Sequence, residues 1–267
     1  MQDLNIAYLQ ADICWENPQA NRDHFDALFA SMNNRPDLIL LPETFNTGFP
    51  VDPLHFAEHT DGPTTKWMKE RSAQYNAVIC GSILIAEKGL FYNRLIWMRP
   101  DGTSETYSKR HVFRMGGEHQ LIEPGTQILQ VELKGWKIRP LICYDLRFPV
   151  WSRNRYNNGN WDYDLLIYIA NWPAVRSYPW KQLLLARAIE NMAFVIGVNR
   201  VGVDGQGNIY SGDSCFVDAK GQSFSQSFAE KEMLVESTLN FSDLLILRQK
   251  FNVGLDWDHF KILHLPS

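Results

Sequence analysis

Cys143 is the residue whose surroundings most strongly suggest chemistry. It follows the apolar segment 140–142 and precedes the run 144–149, which ends in Pro149. A buried strand that ends in a cysteine and turns sharply toward a helix resembles a nucleophile elbow, in which nearby backbone N–H groups can stabilise an oxyanion. The alternative is an inert core thiol, which is a common state of free cysteines.

Glu43 and Lys109 are the residues that could activate such a thiol. A cysteine nucleophile needs a partner that favours its thiolate form, and none of the seven histidines has a context that marks it as a base. Glu43 follows the apolar run 38–41, where an ionised carboxylate is costly without a partner or a task. Lys109 lies in the run 105–111, which alternates like a strand. Each also has an ordinary interpretation, as a capping or salt-bridged glutamate and as a surface lysine.

The composition limits the class of protein. The 267 residues carry a net charge of −4, which lacks the positive field of a general nucleic-acid or anionic-membrane binder. The longest apolar stretch, 165–170, is far shorter than the ~18 residues of a membrane span. Four scattered cysteines without a Cys-x-x-Cys pair argue against a disulfide scaffold and a zinc site. With no export signal at the N-terminus, these features predict a cytoplasmic protein.

Apolar runs of strand length alternate with helical segments along the whole chain, without a linker or an internal repeat. This pattern predicts one α/β domain over residues 1–267. The helix predicted over 180–192 is apolar on nearly every side, so it should be buried or lie in an interface. The predicted strands are 4–10, 38–41, 77–85, 91–98, 128–133, 136–143, 165–170, 194–198, 214–217 and 234–239, and the predicted helices are 17–33, 63–75, 180–192 and 241–250.

Three motifs around these residues occur together in one order. They are Leu-Pro-Glu-Thr-Phe at 41–45, Tyr-Ser-Lys-Arg-His-Val-Phe at 107–113 and Leu-Ile-Cys-Tyr-Asp-Leu-Arg-Phe-Pro at 141–149. In this combination the chain resembles the nitrilase superfamily of carbon–nitrogen hydrolases. Segments 171–173, 187–191 and 212–214 add to the resemblance, which extends from Ile6 to about Leu239.

The resemblance implies a fold that the residue pattern alone does not distinguish from a doubly wound sheet. It implies a four-layer α-β-β-α sandwich, with a tail from about residue 241 packed on the domain or on a partner subunit. It also implies a homodimer, or a larger homo-oligomer, formed through helix 180–192. Arg187 and Glu190 are close enough to pair on that helix, and with Asn191 they are expected to support the structure.

The resemblance also implies the chemistry of the site. Cys143 attacks an amide carbonyl, while Lys109 and the backbone N–H of Tyr144 hold the oxyanion. Glu43 protonates the departing amine and then activates the water that hydrolyses the thioester. Glu118, nine residues after Lys109, is a further site carboxylate. Neither a metal nor another cofactor is expected.

Within the superfamily the chain looks most like the omega-amidase branch. That branch hydrolyses the terminal amide of 2-oxoglutaramate and related monoamides of short diacids, and the supporting segments are 43–49, 113–119 and 171–176. The substrate carboxylate would need a donor, for which Arg176 is the first choice and Arg114 and Arg147 are reserves. Trp172 and Phe49 would wall the apolar stem of the substrate.

Other functions remain open from the sequence alone. One is a different amidase of the superfamily, acting on N-carbamoyl amino acids or aliphatic amides. Another is a catalytically silent scaffold or binding protein, against which the intact Glu43, Lys109 and Cys143 argue. A papain-like protease is disfavoured because its signature around the cysteine is absent.

Overall fold

The computed structural model describes residues 2–49, 52–225 and 228–263. In the first half the strands are β1 (Leu4–Gln10), β2 (Leu38–Leu40), β3 (Val78–Glu87), β4 (Leu90–Met98) and β5 (Ser104–Ser108). In the second half they are β6 (Val131–Leu133), β7 (Trp136–Ile142), β8 (Tyr156–Asn157), β9 (Asn160–Trp161), β10 (Leu165–Ala170), β11 (Phe194–Asn199), β12 (Val201–Val203), β13 (Ile209–Ser211), β14 (Cys215–Val217), β15 (Ser223–Phe224) and β16 (Met233–Leu239). The α-helices are α1 (Pro18–Ala30), α2 (Pro53–Phe56), α3 (Pro63–Tyr75), α4 (Pro149–Ser152), α5 (Ser177–Asn191) and α6 (Phe241–Lys250).

Two six-stranded mixed sheets form the centre of the fold. Their strand orders are β16-β1-β2-β3-β4-β5 and β15-β14-β11-β10-β7-β6. Strands β1, β2 and β3 run parallel in the first sheet, as do β7, β10 and β11 in the second. Helices lie outside both sheets, so the predicted four-layer α-β-β-α sandwich is confirmed.

Alternating side chains on β2 show how the layers are joined. Leu38 and Leu40 point into the core between the sheets, where they join Ile138 and Ile167 of the second sheet. Ile39 points to the opposite face and packs with side chains of α1 and α3. Both faces of the strand are therefore buried, which explains why its sequence is a continuous apolar run.

Most predicted elements occur within a few residues of their expected ends. The strands predicted at 4–10 and 165–170 and the helices predicted at 63–75 and 241–250 have the predicted bounds. The helix predicted over 17–33 ends earlier, at Ala30, and it starts at Pro18 with Asn17 as its N-cap. The strand predicted over 128–133 is limited to Val131–Leu133.

Two differences in strand ends concern the candidate residues directly. The strand predicted over 136–143 ends at Ile142, and Cys143 begins a short 3-10 turn with a positive φ of 44°. The alternating run 105–111 is a strand only as far as Ser108, so Lys109 lies just beyond its end. Both residues therefore stand where a strand gives way to a turn.

Helix α5 differs from the expected helix in length and in environment. It starts three residues earlier than predicted, at Ser177, and ends at Asn191 with Met192 in the left-handed conformation. Trp180, Leu184 and Ala188 are buried against the sheet, but Tyr178 is 75% exposed and Ile189 is 55% exposed. Within this chain only one side of the helix is covered.

The fold offers no membrane-spanning segment in its described part. Among residues 2–49, 52–225 and 228–263, no helix is both long enough and apolar enough to cross a bilayer.

Candidate active site

Four side chains at strand ends meet between the two sheets. Glu43 follows β2, Lys109 follows β5, Cys143 follows β7 and Asn171 follows β10. Because β7 and β10 are parallel neighbours, Cys143 and Asn171 emerge at the same edge of their sheet. The Cys143 Sγ atom lies 3.9 Å from the backbone oxygen of Asn171.

The turn that carries Cys143 is held by a buried carboxylate. Asp145 accepts hydrogen bonds from the backbone N–H of Ile142 at 3.1 Å and from the hydroxyl of Tyr107 at 2.7 Å. It also contacts His111 through the backbone N–H and the ring Nδ1. These contacts hold the tight turn that leaves Cys143 at a positive φ, a conformation that costs a non-glycine residue about 1–3 kcal/mol.

Glu43 is completely buried, and polar donors surround its carboxylate. Oε1 accepts hydrogen bonds from Asn93 Nδ2 and Lys109 Nζ, both at 2.8 Å. Oε2 accepts one from the backbone N–H of Asn171 at 2.8 Å. The side chain of Asn171 donates to the Glu43 carbonyl and to the Thr44 hydroxyl, so the backbone around Glu43 is held as well.

Lys109 joins two carboxylates. Its Nζ donates to Glu43 and also to Glu118, whose Oε1 and Oε2 lie at 3.1 and 3.0 Å. Lys109 is 1% exposed and Glu118 is 3% exposed, which excludes the surface-lysine interpretation. An ammonium group has three donors, so when the two Glu118 oxygens share one N–H and Glu43 takes another, one N–H remains for a further acceptor.

The charges of this cluster shift the pKa values of its members. Burial alone lowers the pKa of Lys109, but the Glu118 and Glu43 carboxylates outweigh burial, and the pKa lies above its usual value. Burial raises the pKa of Glu118, although Lys109 opposes the shift. Burial also raises the pKa of the Cys143 thiol, with a further contribution from Glu43 that Lys109 partly offsets. Two carboxylates share one ammonium group. The charged form of Lys109 is therefore favoured, whereas the pKa of Glu118 remains above its usual value.

A cleft of about 460 Å³ opens above Cys143 and Lys109. Phe49, Trp172 and Arg176, predicted to contact substrate, all line it, and so does Tyr144. Tyr144 is the second residue of its 3-10 turn, where a backbone N–H has no acceptor within the turn.

Two arginines face the cleft with their guanidinium groups uncommitted. Arg176 lies over the Phe113 ring at 5.3 Å and Arg147 over the Trp172 ring at 5.0 Å. Within the described part of the chain, neither guanidinium makes a hydrogen bond or an ion pair. Arg147, a reserve candidate, thus lies beside the cleft like Arg176, whereas Arg114 does not line it.

Another wall of the cleft, formed by the β12–β13 hairpin, was not predicted from the sequence. Gln206, Asn208 and Tyr210 line the cleft from this hairpin. Asp204 holds the hairpin loop, accepting hydrogen bonds at 2.9 Å from both backbone N–H groups of Gln206 and Asn208 and from the Tyr210 hydroxyl. The sequence of this short polar loop contains no pattern that predicts its position beside the cleft.

The residues expected to support the structure lie behind the nucleophile turn. Arg187 pairs with Glu190 at 2.9 Å and donates to the backbone oxygen of Leu146 at 2.7 Å. Asn191 donates to the Arg187 carbonyl at 2.9 Å and accepts from the backbone N–H of Asn154 at 2.8 Å. None of the three lines the cleft.

The donor set of the site is not that of a metal centre. Its ammonium group competes for the carboxylates that a cation would need. In the described ranges, no group of three or more His, Cys, Asp and Glu side chains is arranged to hold a metal ion.

Comparison with known proteins identifies the class to which this architecture belongs. The carbon–nitrogen hydrolase family model matches residues 5–248. The chain therefore belongs to the carbon–nitrogen hydrolase (nitrilase) superfamily, and the resemblance drawn from its motifs is confirmed.

Individual relatives cover the whole chain. It is 41% identical to the omega-amidase YafV of Escherichia coli K12, over 98% of this chain and 100% of that protein. It is 30% identical to the 2-oxoglutaramate amidase of Bacillus subtilis, over 93% of this chain and 95% of that protein. A crystal structure of a CN-hydrolase superfamily protein from Xanthomonas campestris, with an arsenic adduct in its active site, has a TM-score of 0.96 and 44% identity, covering 98% of this chain and 100% of that one.

Proposed function

We propose that this protein is an omega-amidase that hydrolyses the terminal amide of a short dicarboxylic acid monoamide of the 2-oxoglutaramate type. The observation that carries the proposal is the arrangement of Lys109 between two buried carboxylates beside the Cys143 thiol, at the floor of a cleft with two uncommitted guanidinium groups. The full-length similarity to the omega-amidase of Escherichia coli supports the same activity.

The first half of the reaction forms a thioester. Glu43 takes the proton of the Cys143 thiol as sulfur attacks the amide carbonyl. The remaining N–H of Lys109 and the backbone N–H of Tyr144 hold the oxyanion that develops. Glu43 then gives its proton to the nitrogen, the carbon–nitrogen bond breaks, and ammonia leaves.

The second half returns the enzyme to its starting state. Glu43 takes a proton from water, the resulting oxygen nucleophile attacks the thioester, and the sulfur leaves and is reprotonated. Glu118 keeps Lys109 charged and in place through both halves, since it holds the ammonium with both of its oxygens. No step needs a metal or a cofactor.

The walls of the cleft fit the rest of such a substrate. Phe49 and Trp172 give apolar surface for the short carbon stem, and Arg176 can bind the distal carboxylate through its planar fork. Arg147 is a second guanidinium on the same cleft. Two cations in one small cleft favour an anionic substrate over a neutral amide.

Steady-state release of ammonia from a panel of compounds tests the proposal. 2-Oxoglutaramate and succinamate should be hydrolysed with a far higher kcat/KM than glutamine, an aliphatic amide, an N-carbamoyl amino acid or a simple nitrile. A preference for an N-carbamoyl amino acid or a neutral aliphatic amide would replace the assignment with another amidase of the superfamily. Absence of turnover on every compound would favour a binding protein.

Three further assignments belong to the same proposal. We propose that the chain acts as one domain over residues 1–267 and that it forms a homodimer through α5. We also propose that it works in the cytoplasm, which suits its four free cysteines.

A further inference from the structure

Asn93 is a polar residue in a row of apolar side chains. It lies on β4 on the same face as Leu95 and Trp97, which belong to the core between the sheets. Its side chain is completely buried, and its Oδ1 has no hydrogen-bond partner among the described residues. An unpartnered buried polar atom costs about 1–3 kcal/mol, so stability alone gives no reason for an asparagine here.

The contacts of Asn93 connect it to two residues of the site. Its Nδ2 donates to Glu43 Oε1 at 2.8 Å, and its backbone oxygen accepts from the backbone N–H of Lys109 at 2.9 Å. The orientation of the amide is fixed, because the opposite one would place Oδ1 against a carboxylate oxygen. Asn93 therefore supplies a donor to Glu43, while its own Oδ1 remains without a hydrogen-bond partner among the described residues.

The two oxygens of Glu43 have different surroundings. Oε1 has two side-chain donors, from Asn93 and Lys109, whereas among the described residues Oε2 accepts one hydrogen bond, from the backbone N–H of Asn171. Proton transfer needs a carboxylate oxygen with a lone pair to spare. Oε1 is committed to its two donors, and Oε2 retains that capacity.

We propose that Asn93 is a positioning residue that divides the work between these oxygens. With Lys109 it fixes Oε1, so that Oε2 exchanges protons with the Cys143 thiol, the leaving nitrogen and water. The thiol S–H bond breaks as the O–H bond to Oε2 forms, and that same proton passes to the nitrogen when the carbon–nitrogen bond breaks.

The charged and titratable groups that face Glu43 are Lys109, Glu118 and Cys143. Replacing Asn93 leaves these three in place and removes one donor to the carboxylate. Oε1 is then held by Lys109 alone, so the carboxylate is less well oriented for proton transfer and kcat falls. The KM should change little because Asn93 does not line the cleft.

The test uses Asn93→Leu, which has nearly the same shape and removes the unpartnered oxygen. We expect kcat to fall by about 10- to 100-fold while KM changes by less than about twofold. Asn93→Ser is the second variant, since its side chain is too short to reach Glu43 and should give the same loss of kcat at an unchanged KM if Asn93→Leu does not fold.

Ser82→Ala is the matched control. Ser82 is also fully buried, on the adjacent strand β3, and its hydroxyl accepts from the backbone N–H of Thr44 without touching the Glu43 carboxylate. This variant should lower the melting temperature and leave kcat and KM unchanged. A wild-type kcat in Asn93→Leu and Asn93→Ser, or a loss of kcat no larger than in Ser82→Ala, would overturn the proposal.

The inference rests on the proposed amide hydrolysis but not on a particular amide. The kinetic constants are therefore measured with whichever compound of the panel the wild-type enzyme turns over fastest. A different preferred amide would correct the substrate assignment and leave the role of Asn93 to be decided by kcat and KM of its variants. If the wild type turns over no compound, the proposal for Asn93 fails together with the amidase assignment, whereas an active wild type whose Asn93 variants keep its kcat removes the proposal for Asn93 alone.

Discussion

The floor and the mouth of the cleft are built in opposite ways. On the floor, Glu43, Lys109 and Glu118 are almost entirely buried, and each is bound to at least one of the others. At the mouth, the guanidinium groups of Arg147 and Arg176 lie on aromatic rings and have no polar partner in the described chain. Met115, also at the mouth, is 88% exposed.

The difference indicates which part of the reaction each region serves. Groups that stabilise a transition state work best when they are fixed and shielded from water before the substrate arrives, which describes the floor. Donors that recognise a ligand must be free until the ligand binds, which describes the mouth. Chemistry shared by all amides belongs to the floor, and the choice among amides belongs to the mouth.

The largest expected effect comes from removing the nucleophile. Cys143→Ala should abolish ammonia release, while circular dichroism and melting temperature stay close to wild type. The methyl group leaves only a small void, and alanine adopts the positive φ no less readily than cysteine does. In the wild type, mass spectrometry during turnover should detect an acyl adduct on Cys143.

Cys215→Ala is the control for this change, because Cys215 is buried outside the cleft. It should retain turnover. An acyl adduct on Cys14, Cys80 or Cys215 would contradict the assignment of the nucleophile.

The next largest effect is expected from replacing Glu43 or Lys109, the two charged residues beside the thiol. Glu43→Gln should reduce kcat by about 10²–10⁴-fold, as expected for loss of a general acid–base group. Lys109→Met should also reduce kcat, by about 10²–10³-fold, because an oxyanion donor is lost. The two variants should nevertheless move the reactivity of Cys143 in opposite directions.

Alkylation by the neutral reagent iodoacetamide measures that reactivity. Burial first and Glu43 second raise the pKa of Cys143, and Lys109 lowers it. Glu43→Gln should therefore move the midpoint of the alkylation profile to lower pH, and Lys109→Met should move it to higher pH. The exposed Cys14 serves as an internal standard, because at any one pH its alkylation rate should be the same in all variants. A shift of both midpoints in the same direction would refute this electrostatic arrangement.

The same contrast explains how much could be predicted from the sequence. Glu43, Lys109 and Cys143 stand beside strands and within short motifs. The combination of these motifs in one order indicated the superfamily, and that resemblance implied that the three residues meet in one site. Glu118 was predicted only through the resemblance, since a glutamate in a glycine-containing loop has no periodic pattern that fixes its position. Asn93 offered one signal, a polar residue on the same strand face as Leu95 and Trp97.

The parts that were missed depend on contacts between distant segments. The loop of the β12–β13 hairpin reaches the cleft because Tyr210, anchored by Asp204, also contacts the backbone oxygen of Phe49, 161 residues away. The sequence left open what covers the outer side of α5 for a related reason. Apolar composition predicts burial, but it does not say whether this chain or another provides the cover.

A smaller and more selective effect is expected at the mouth. Arg176→Met should lower kcat/KM for 2-oxoglutaramate by about 10- to 100-fold, since a hydrogen bond to a charged group contributes about 1.5–3 kcal/mol. Butyramide, which has no carboxylate, should be hydrolysed at nearly the wild-type rate. Arg114→Met is the matched control, because Arg114 lies next to Phe113 but outside the cleft lining.

Equal losses on both substrates would assign Arg176 to the structure of the mouth, where its backbone oxygen accepts from Trp172 Nε1 at 2.7 Å. If Arg176→Met leaves both substrates unaffected, Arg147→Met becomes the decisive variant. Loss confined to 2-oxoglutaramate in that variant would move the carboxylate site from one guanidinium to the other.

The smallest effect on catalysis is expected from a substitution on the outer side of α5. What covers this helix decides how open the mouth of the cleft is in solution. α5 begins at the mouth, directly after Arg176, and its outer side exposes Tyr178 and Ile189. Exposed apolar surface of this kind is stabilised when a second copy covers it.

Sedimentation should therefore give a dimer for the wild type, and Ile189→Lys should shift it toward a monomer of about 31 kDa. Because Ile189 is remote from the buried charges, kcat should change by less than about twofold, as expected for a surface substitution away from the site. Leu54→Lys, on α2 against the other sheet, replaces an apolar residue that is even more exposed than Ile189 and should leave the dimer intact. A wild-type monomer at micromolar concentration would contradict the dimer and leave the mouth as open in solution as it is in the single chain.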